Sequence, residues 1–144
     1  MPGQRGFTLL ETLIILSIIS ILAVIAVPNY IQYEVRSKVS EGFTLADPVK
    51  VSMMEYFETN GTWPTSNTAA SVQPPTSYKT DNVDSISIAG NTSGVTITIT
   101  YSIPALGANN TIVLTPSSIA SNRVVWSCKQ GSVLNKYRPA NCRI

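Results

Sequence analysis

MPGQRGFTLLETLIILSIISILAVIAVPNY, residues 1–30, decides how this chain of 144 residues is built. A short basic head ends in Gly6, and an almost unbroken apolar run extends from Phe7 to Val27 with one acidic residue, Glu11, inside it. As a helix rising about 1.5 Å per residue, the run is roughly 31 Å long, close to the thickness of a bilayer's hydrocarbon core. A carboxylate in that setting costs on the order of a few kcal/mol unless it meets a partner. The identity of that partner governs the reading of everything downstream.

Two general readings account for part of this stretch. As a secretory signal peptide, MPGQR would be the basic head and Val24-Ile25-Ala26 a small-residue cleavage site. The apolar run is too long for that, and Glu11 interrupts it. As a plain membrane anchor, Arg5 ahead of the run and no further basic residue until Arg36 place the head in the cytoplasm and the remainder outside. That explains the length and leaves Glu11 unexplained. Locally, Thr8-Leu9-Leu10-Glu11 fits a capping box, with Thr8 at the N-cap and Glu11 near the third helical position, where the helix dipole favours negative charge.

The register Gly6-Phe7-Thr8-Leu9-Leu10-Glu11, followed by an apolar helix and Pro28, resembles the class III leader of type IV pilins and related pseudopilins. The resemblance implies that a dedicated peptidase on the cytoplasmic face cuts between Gly6 and Phe7 and that Phe7 is N-methylated. It also implies that Glu11 pairs with the N-terminal amine of a neighbouring subunit. An α-amine has a reference pKa of about 7.7–8.0 and is largely cationic at neutral pH. Paired between subunits, amine and carboxylate each offset the other's desolvation. Like one polar group in a coiled-coil seam, the pair specifies register more than it adds stability.

Composition narrows the remainder. Charged residues make up 12% of the chain, about half the usual share. Histidine is absent, which rules out a His-based triad or an imidazole-rich metal site. There is no Gly-rich phosphate loop and no convincing pair of catalytic carboxylates, so no catalytic residue, cofactor or metal is expected. The net charge of +2 hides an asymmetry. Acidic residues (Glu11, Glu34, Glu41, Asp47, Glu55, Glu58) dominate up to Glu58, whereas from Arg123 onward the charges are Arg123, Lys129, Lys136, Arg138 and Arg143. This is either scattered solvated charge, complementarity between stacked subunits, or a basic face for an anionic partner.

Beyond the apolar run, Val35, Val39, Gly42, Ala46, Val49, Met53 and Tyr56 recur at alternating steps of four and three, one apolar face of an amphipathic helix. Pro28 should bend the helix without ending it, Pro48 marks another bend, and Asn60-Gly61 supplies the stop. A helix from about Phe7 to Thr59 is expected. Residues 60–82 read as a long connecting loop, with a short helical turn around Ser66–Val72 and with Trp63 and Tyr78 pinning it by packing. Strands are expected at Val83–Ala89, Gly94–Ser102, Thr111–Thr115 and Arg123–Cys128, with Asn91-Thr92-Ser93-Gly94 as the first turn. Short connections imply an antiparallel meander with the amphipathic helix half on one face.

This order extends the resemblance over most of the chain. A long N-terminal α-helix on a roughly four-stranded antiparallel sheet, closed by a C-terminal disulfide loop, is the α+β fold of a type IVa pilin. The implied organisation is a cleaved leader at 1–6, a membrane or filament-core helix at 7–27 and an amphipathic half at 28–59. A head at 60–144 follows, comprising the loop 60–82, the sheet 83–128 and the disulfide loop 128–142. On an exported head, Cys128 and Cys142 are expected to be oxidised, a bond worth roughly 3 kcal/mol in the chain-entropy model; two buried free thiols are the alternative. In related pilins this loop is exposed and implicated in surface binding. Lys136, Tyr137 and Arg138 are accordingly candidates for contacts to host glycans, DNA or anionic surfaces. Structurally, the loop would close the sheet edge.

The function implied is the major structural subunit of a type IV pilus. It waits in the inner membrane with a cytoplasmic leader and a periplasmic head, then polymerises with copies of itself into an extracellular filament for twitching motility, adhesion and DNA uptake. The peptidase/methyltransferase and the assembly machinery are its partners. The alternatives are a minor pilin, a type II secretion pseudopilin, or an adhesive or DNA-binding module using the basic loop. Major pseudopilins bind calcium through C-terminal acidic residues, and no carboxylate side chain follows Asp84 here.

Overall fold

The computed structural model describes residues 6–91, 94–120 and 123–144, with the side chains of 91, 118–120 and 123 excluded. Residues 1–5 of the expected leader and 92–93 of the expected first turn lie outside them. One helix, α1 (Leu9–Asn60), is followed by four strands, β1 (Val83–Asn91), β2 (Gly94–Tyr101), β3 (Thr111–Ala120) and β4 (Arg123–Gln130), with short 3-10 turns between and after them. The chain divides into two compact units, Met1–Glu34 and Val35–Ile144.

In the first unit the helix starts on the capping chemistry of Thr8 and Glu11. It passes through Pro28 without ending, and Asn29 Nδ2 donates to the Ile25 carbonyl at 3.1 Å. Most of its side chains are Leu, Ile and Val, and the most apolar 18-residue window has a mean hydropathy of 2.7 with none of it buried. An apolar surface of this size on every side of a helix requires lipid or other helices around it.

In the second unit the stripe read from the sequence is the buried face. Val39, Ala46, Val49 and Met53 are fully buried, Val35 nearly so, and Gly42 lies among them. Helical structure continues through Pro48. The stripe packs on the face of the sheet formed by Ile86, Ile97, Ile99, Tyr101, Ile112 and Leu114. Each such side chain contributes about 1.5–3 kcal/mol on burial. Gly42 is needed where it stands. A Cβ there would come within 2.6 Å of Tyr101 Oη and 2.8 Å of Ile99 Cγ2, and the Tyr101 hydroxyl donates to the Val39 carbonyl at 2.8 Å.

The sheet is the expected antiparallel meander, in the order β1-β2-β3-β4. Burial in β2 alternates, with Val95, Ile97, Ile99 and Tyr101 inward. β1 slips register between Val83 and Ser85, which keeps Val83, Ile86 and Ile88 on the buried face. β3 is longer than its sequence suggests: it continues past Pro116, which pairs with Trp126 between two register shifts. A proline has no N–H for the ladder, so strand pairing survives there only by slipping. β4 likewise runs on to Gln130.

The connecting loop has the helical turn expected within Ser66–Val72, closed by Ala70 N–H to Ser66 O at 3.1 Å and Val72 N–H to Asn67 O at 3.1 Å. Trp63 stacks on Phe57 with ring centroids 4.4 Å apart and meets Trp126 edge-on at 6.0 Å. Trp63 and Tyr78 are both half-buried against the core, so they pin the loop by packing.

Candidate functional site

Two regions carry the residues singled out by the sequence, one in each unit. At the head of α1, Phe7 and Gly6 are exposed, and Glu11 lies in the first helical turn. The capping box forms in both directions: Thr8 N–H donates to Glu11 Oε2 at 3.4 Å, and Glu11 N–H donates to Thr8 Oγ1 at 3.3 Å. These bonds satisfy two of the donors that a helix start leaves open. The carboxylate is exposed and keeps acceptor capacity beyond the Thr8 bond, because an ionised carboxylate has about four lone-pair sites.

In the second unit, Cys128 and Cys142 form a disulfide with their Cα atoms 4.9 Å apart. The loop it closes is organised from inside by Arg138. Arg138 Nε donates to Val133 O at 2.7 Å, Nη2 to Gly131 O at 2.8 Å, and Nη1 to Lys129 O at 2.6 Å, with longer contacts from Nη1 to Cys128 O and Gln130 O. A rigid fork of N–H donors suits this convergence of carbonyls, and a Lys could not reproduce it. Gly131, at φ +107°, adopts the left-handed backbone that favours glycine, and a Cβ there would run into the Thr111–Ile112 backbone. From α1, Arg36 Nη2 reaches the Lys136 carbonyl at 2.9 Å.

This geometry corrects one expectation. Of Lys136, Tyr137 and Arg138, only Lys136 is on the surface; Tyr137 is 9% exposed and Arg138 2%. Arg138 is spent on backbone carbonyls, and burial pulls its pKa down. The Tyr137 ring lies beneath the Lys136 ammonium, 4.8 Å from its centroid. Neither Tyr137 nor Arg138 is available at the surface for contacts to a glycan, a nucleic acid or an anionic surface, whereas Lys136 is exposed.

Residues 35–143 match the pilin family, described as a bacterial filament protein, and residues 1–27 match the prokaryotic N-terminal methylation motif. The chain belongs to the type IV pilin family. It is 35% identical over 140 residues to the fimbrial protein EcpC of Eikenella corrodens, covering 97% of this chain and 91% of that protein. It is 34% identical over 142 residues to a fimbrial protein of Neisseria meningitidis serogroup B, covering 96% and 80%. A type IV major pilin protein PilE1 of Neisseria gonorrhoeae is 37% identical over 132 residues, covering 88% and 76%.

This pilin is therefore a structural filament subunit and not an enzyme. It undergoes prepilin processing, is anchored in a membrane as a precursor and self-assembles into an extracellular pilus. Three features that position its head escaped the sequence reading. Asn67, only 5% exposed, ties the connecting loop to β1. Asn82 Nδ2 donates to Glu41 Oε2 at 2.6 Å, and hydrogen bonds from Thr80 and then Asn82 hold the Glu41 pKa below its ordinary value. Burial, with the Glu41 charge nearby, pushes the Tyr101 pKa far up. Only the last had a signal in the sequence: a glycine inside an apolar helix stripe marks a close approach, here that of Tyr101.

Proposed function

We propose that this pilin is the major subunit of its pilus, matured by cleavage between Gly6 and Phe7 and by N-methylation of Phe7. The new amine of one copy is received by Glu11 of another. The observation that carries this reading is the position of Glu11: an exposed carboxylate in the first turn of a helix whose most apolar 18-residue window is wholly unburied. In lipid or among other helices, a cation is the partner that offsets its desolvation.

Before assembly, the helix 7–27 spans the inner membrane with the leader cytoplasmic and the head periplasmic, as Arg5 ahead of the run suggests. On assembly it moves from lipid to a core of like helices. The surroundings stay apolar, so shape and the Glu11–amine pair order the subunits more than gross hydrophobicity does. The filament serves twitching motility, adhesion and DNA uptake, with Lys136, exposed like Lys129 of the same loop, as a cation available to anionic partners.

Electron microscopy of material sheared from cells, with immunogold labelling of this head, tests the reading. Long filaments labelled along their length are expected. Label confined to filament tips or sparse points would make the chain a minor subunit, and short cell-bound stubs would make it a pseudopilin.

A further inference from the structure

The outer edge of β1 is the first edge of the sheet, and its residues invite pairing. Ser85, Ser87 and Ala89 alternate with Ile86 and Ile88, and no lysine or proline interrupts them. Edge strands of that kind are templates for pairing with another chain unless something covers them. Here one side chain covers the middle of the edge. Asn67 Nδ2 donates to Ile86 O at 3.0 Å, and Ile88 N–H donates to Asn67 Oδ1 at 2.7 Å. Those are the two backbone groups that a residue of an added parallel strand would use opposite Ser87.

The rest of the loop completes the cover. Its near end is tied by Thr80 N–H to Val83 O at 2.8 Å. At the far end the Pro64 carbonyl sits so close to Gly90 that a Cβ there would lie 2.7 Å from it. Asn67 is itself fixed, because its amide also donates to Gln73 O at 2.9 Å and its carbonyl closes the turn with Val72. The opposite edge ends under the disulfide loop, with the β4 carbonyls of Cys128, Lys129 and Gln130 taken up by Arg138.

We propose that Asn67 acts as a plug on the β1 edge, determining how copies of this chain associate: it denies sheet-to-sheet pairing between heads and leaves assembly to the helices. The assembly half of this statement rests on the filament reading above; the plug itself does not. The consequence is a separation of two faults. Loss of Asn67 opens a pairing edge as well as lowering stability, whereas loss of a core side chain only lowers stability.

The test uses the full chain in detergent micelles. Asn67→Ala is compared with Val49→Ala, a core variant, at denaturant concentrations that equalise the folded fraction, and with Asn67→Ala/Ser87→Lys, which restores edge protection by charge without restoring the bonds. Asn67→Ser is read by the same criteria if Asn67→Ala does not fold. Hydrogen exchange at the Ile88 amide should speed up by roughly ten- to a hundredfold in Asn67→Ala and in the double variant. Sheet-paired oligomers, read by sedimentation and dye binding, should form in Asn67→Ala alone. Equal oligomer formation by Val49→Ala, or by the double variant, would overturn the proposal. A wild-type chain that forms no filaments in cells would overturn the filament reading alone and leave these measurements standing.

Discussion

Thr8 and Glu11 exchange two hydrogen bonds at the start of α1: Thr8 N–H to Glu11 Oε2 at 3.4 Å and Glu11 N–H to Thr8 Oγ1 at 3.3 Å. The carboxylate thus has a local task, completing the helix start, and a charge that this task does not consume. The two roles separate by substitution. Glu11→Gln keeps the capping box, which accepts either side chain, and removes the charge. Processed protein should accumulate to ordinary levels, by the mass of the membrane-extracted chain, while sheared filaments fall at least about tenfold, the effect of roughly 1.4 kcal/mol of lost pairing. Ordinary filament yield from this variant would confine Glu11 to capping.

Gly42 should tolerate no side chain. In Gly42→Ala the new methyl meets the Tyr101 ring and Ile99 at distances that real contacts do not reach, so the helix or the ring must shift. Overpacking of this kind costs about 1–3 kcal/mol. Thermal unfolding of the full chain in detergent should show a drop of about 2–4 °C per kcal/mol. An unchanged transition would show that the helix and β2 slide apart freely.

Glu41 gives the head an acid-sensitive contact. Hydrogen bonds from Thr80 and Asn82 lower its folded pKa below the ordinary 4.5, whereas the unfolded chain keeps the ordinary value. The unfolded state therefore binds the proton more readily. The stabilisation is fully present above the ordinary value and is lost as pH falls through the folded pKa. Tyr101 acts in the opposite range: its pKa is raised from 10.0, so stability is present below that value and declines as pH rises above it. Unfolding midpoints measured from pH 3 to 7 should flatten in Glu41→Gln, and those above pH 9 should flatten in Tyr101→Phe.

Arg138 and Lys136 should behave as opposites. Arg138→Lys loses the fork that gathers the loop carbonyls, and destabilisation of about 3 kcal/mol is expected, with faster reduction of Cys128–Cys142 by dithiothreitol. Lys136→Ala should leave stability within about 0.5 kcal/mol. Adhesion of filaments to anionic surfaces should fall in Lys136→Ala. Adhesion that persists there and fails only in Arg138→Lys would assign the surface effect to loop shape.

Much of this fold was legible because its patterns are long. The stripe Val35 to Met53 spans five helical turns, and β2 alternates over its full length, so periodicity alone assigned both faces. Pro116 misled because a proline usually ends a strand, and only pairing with Trp126 across a slipped register carries β3 further. Arg138 misled for a related reason. A charged residue in a loop is exposed by default, and its burial depends on carbonyls from Cys128 to Val133 converging, which no local spacing encodes. Asn67 sits in a run of Thr, Ser and Ala and has nothing to distinguish it until β1 lies alongside. At the helix head the capping box was legible, since Thr8 and Glu11 are three residues apart and bond within the first turn.

The most direct test of the account is the N-terminal peptide of the chain recovered from surface filaments, measured by mass spectrometry. The account predicts a chain that begins at Phe7 and carries one added methyl group on its α-amine. A chain that begins at Met1 or at Val27 would contradict it: the first keeps the leader, so no α-amine is created at Phe7, and the second has lost Glu11 altogether.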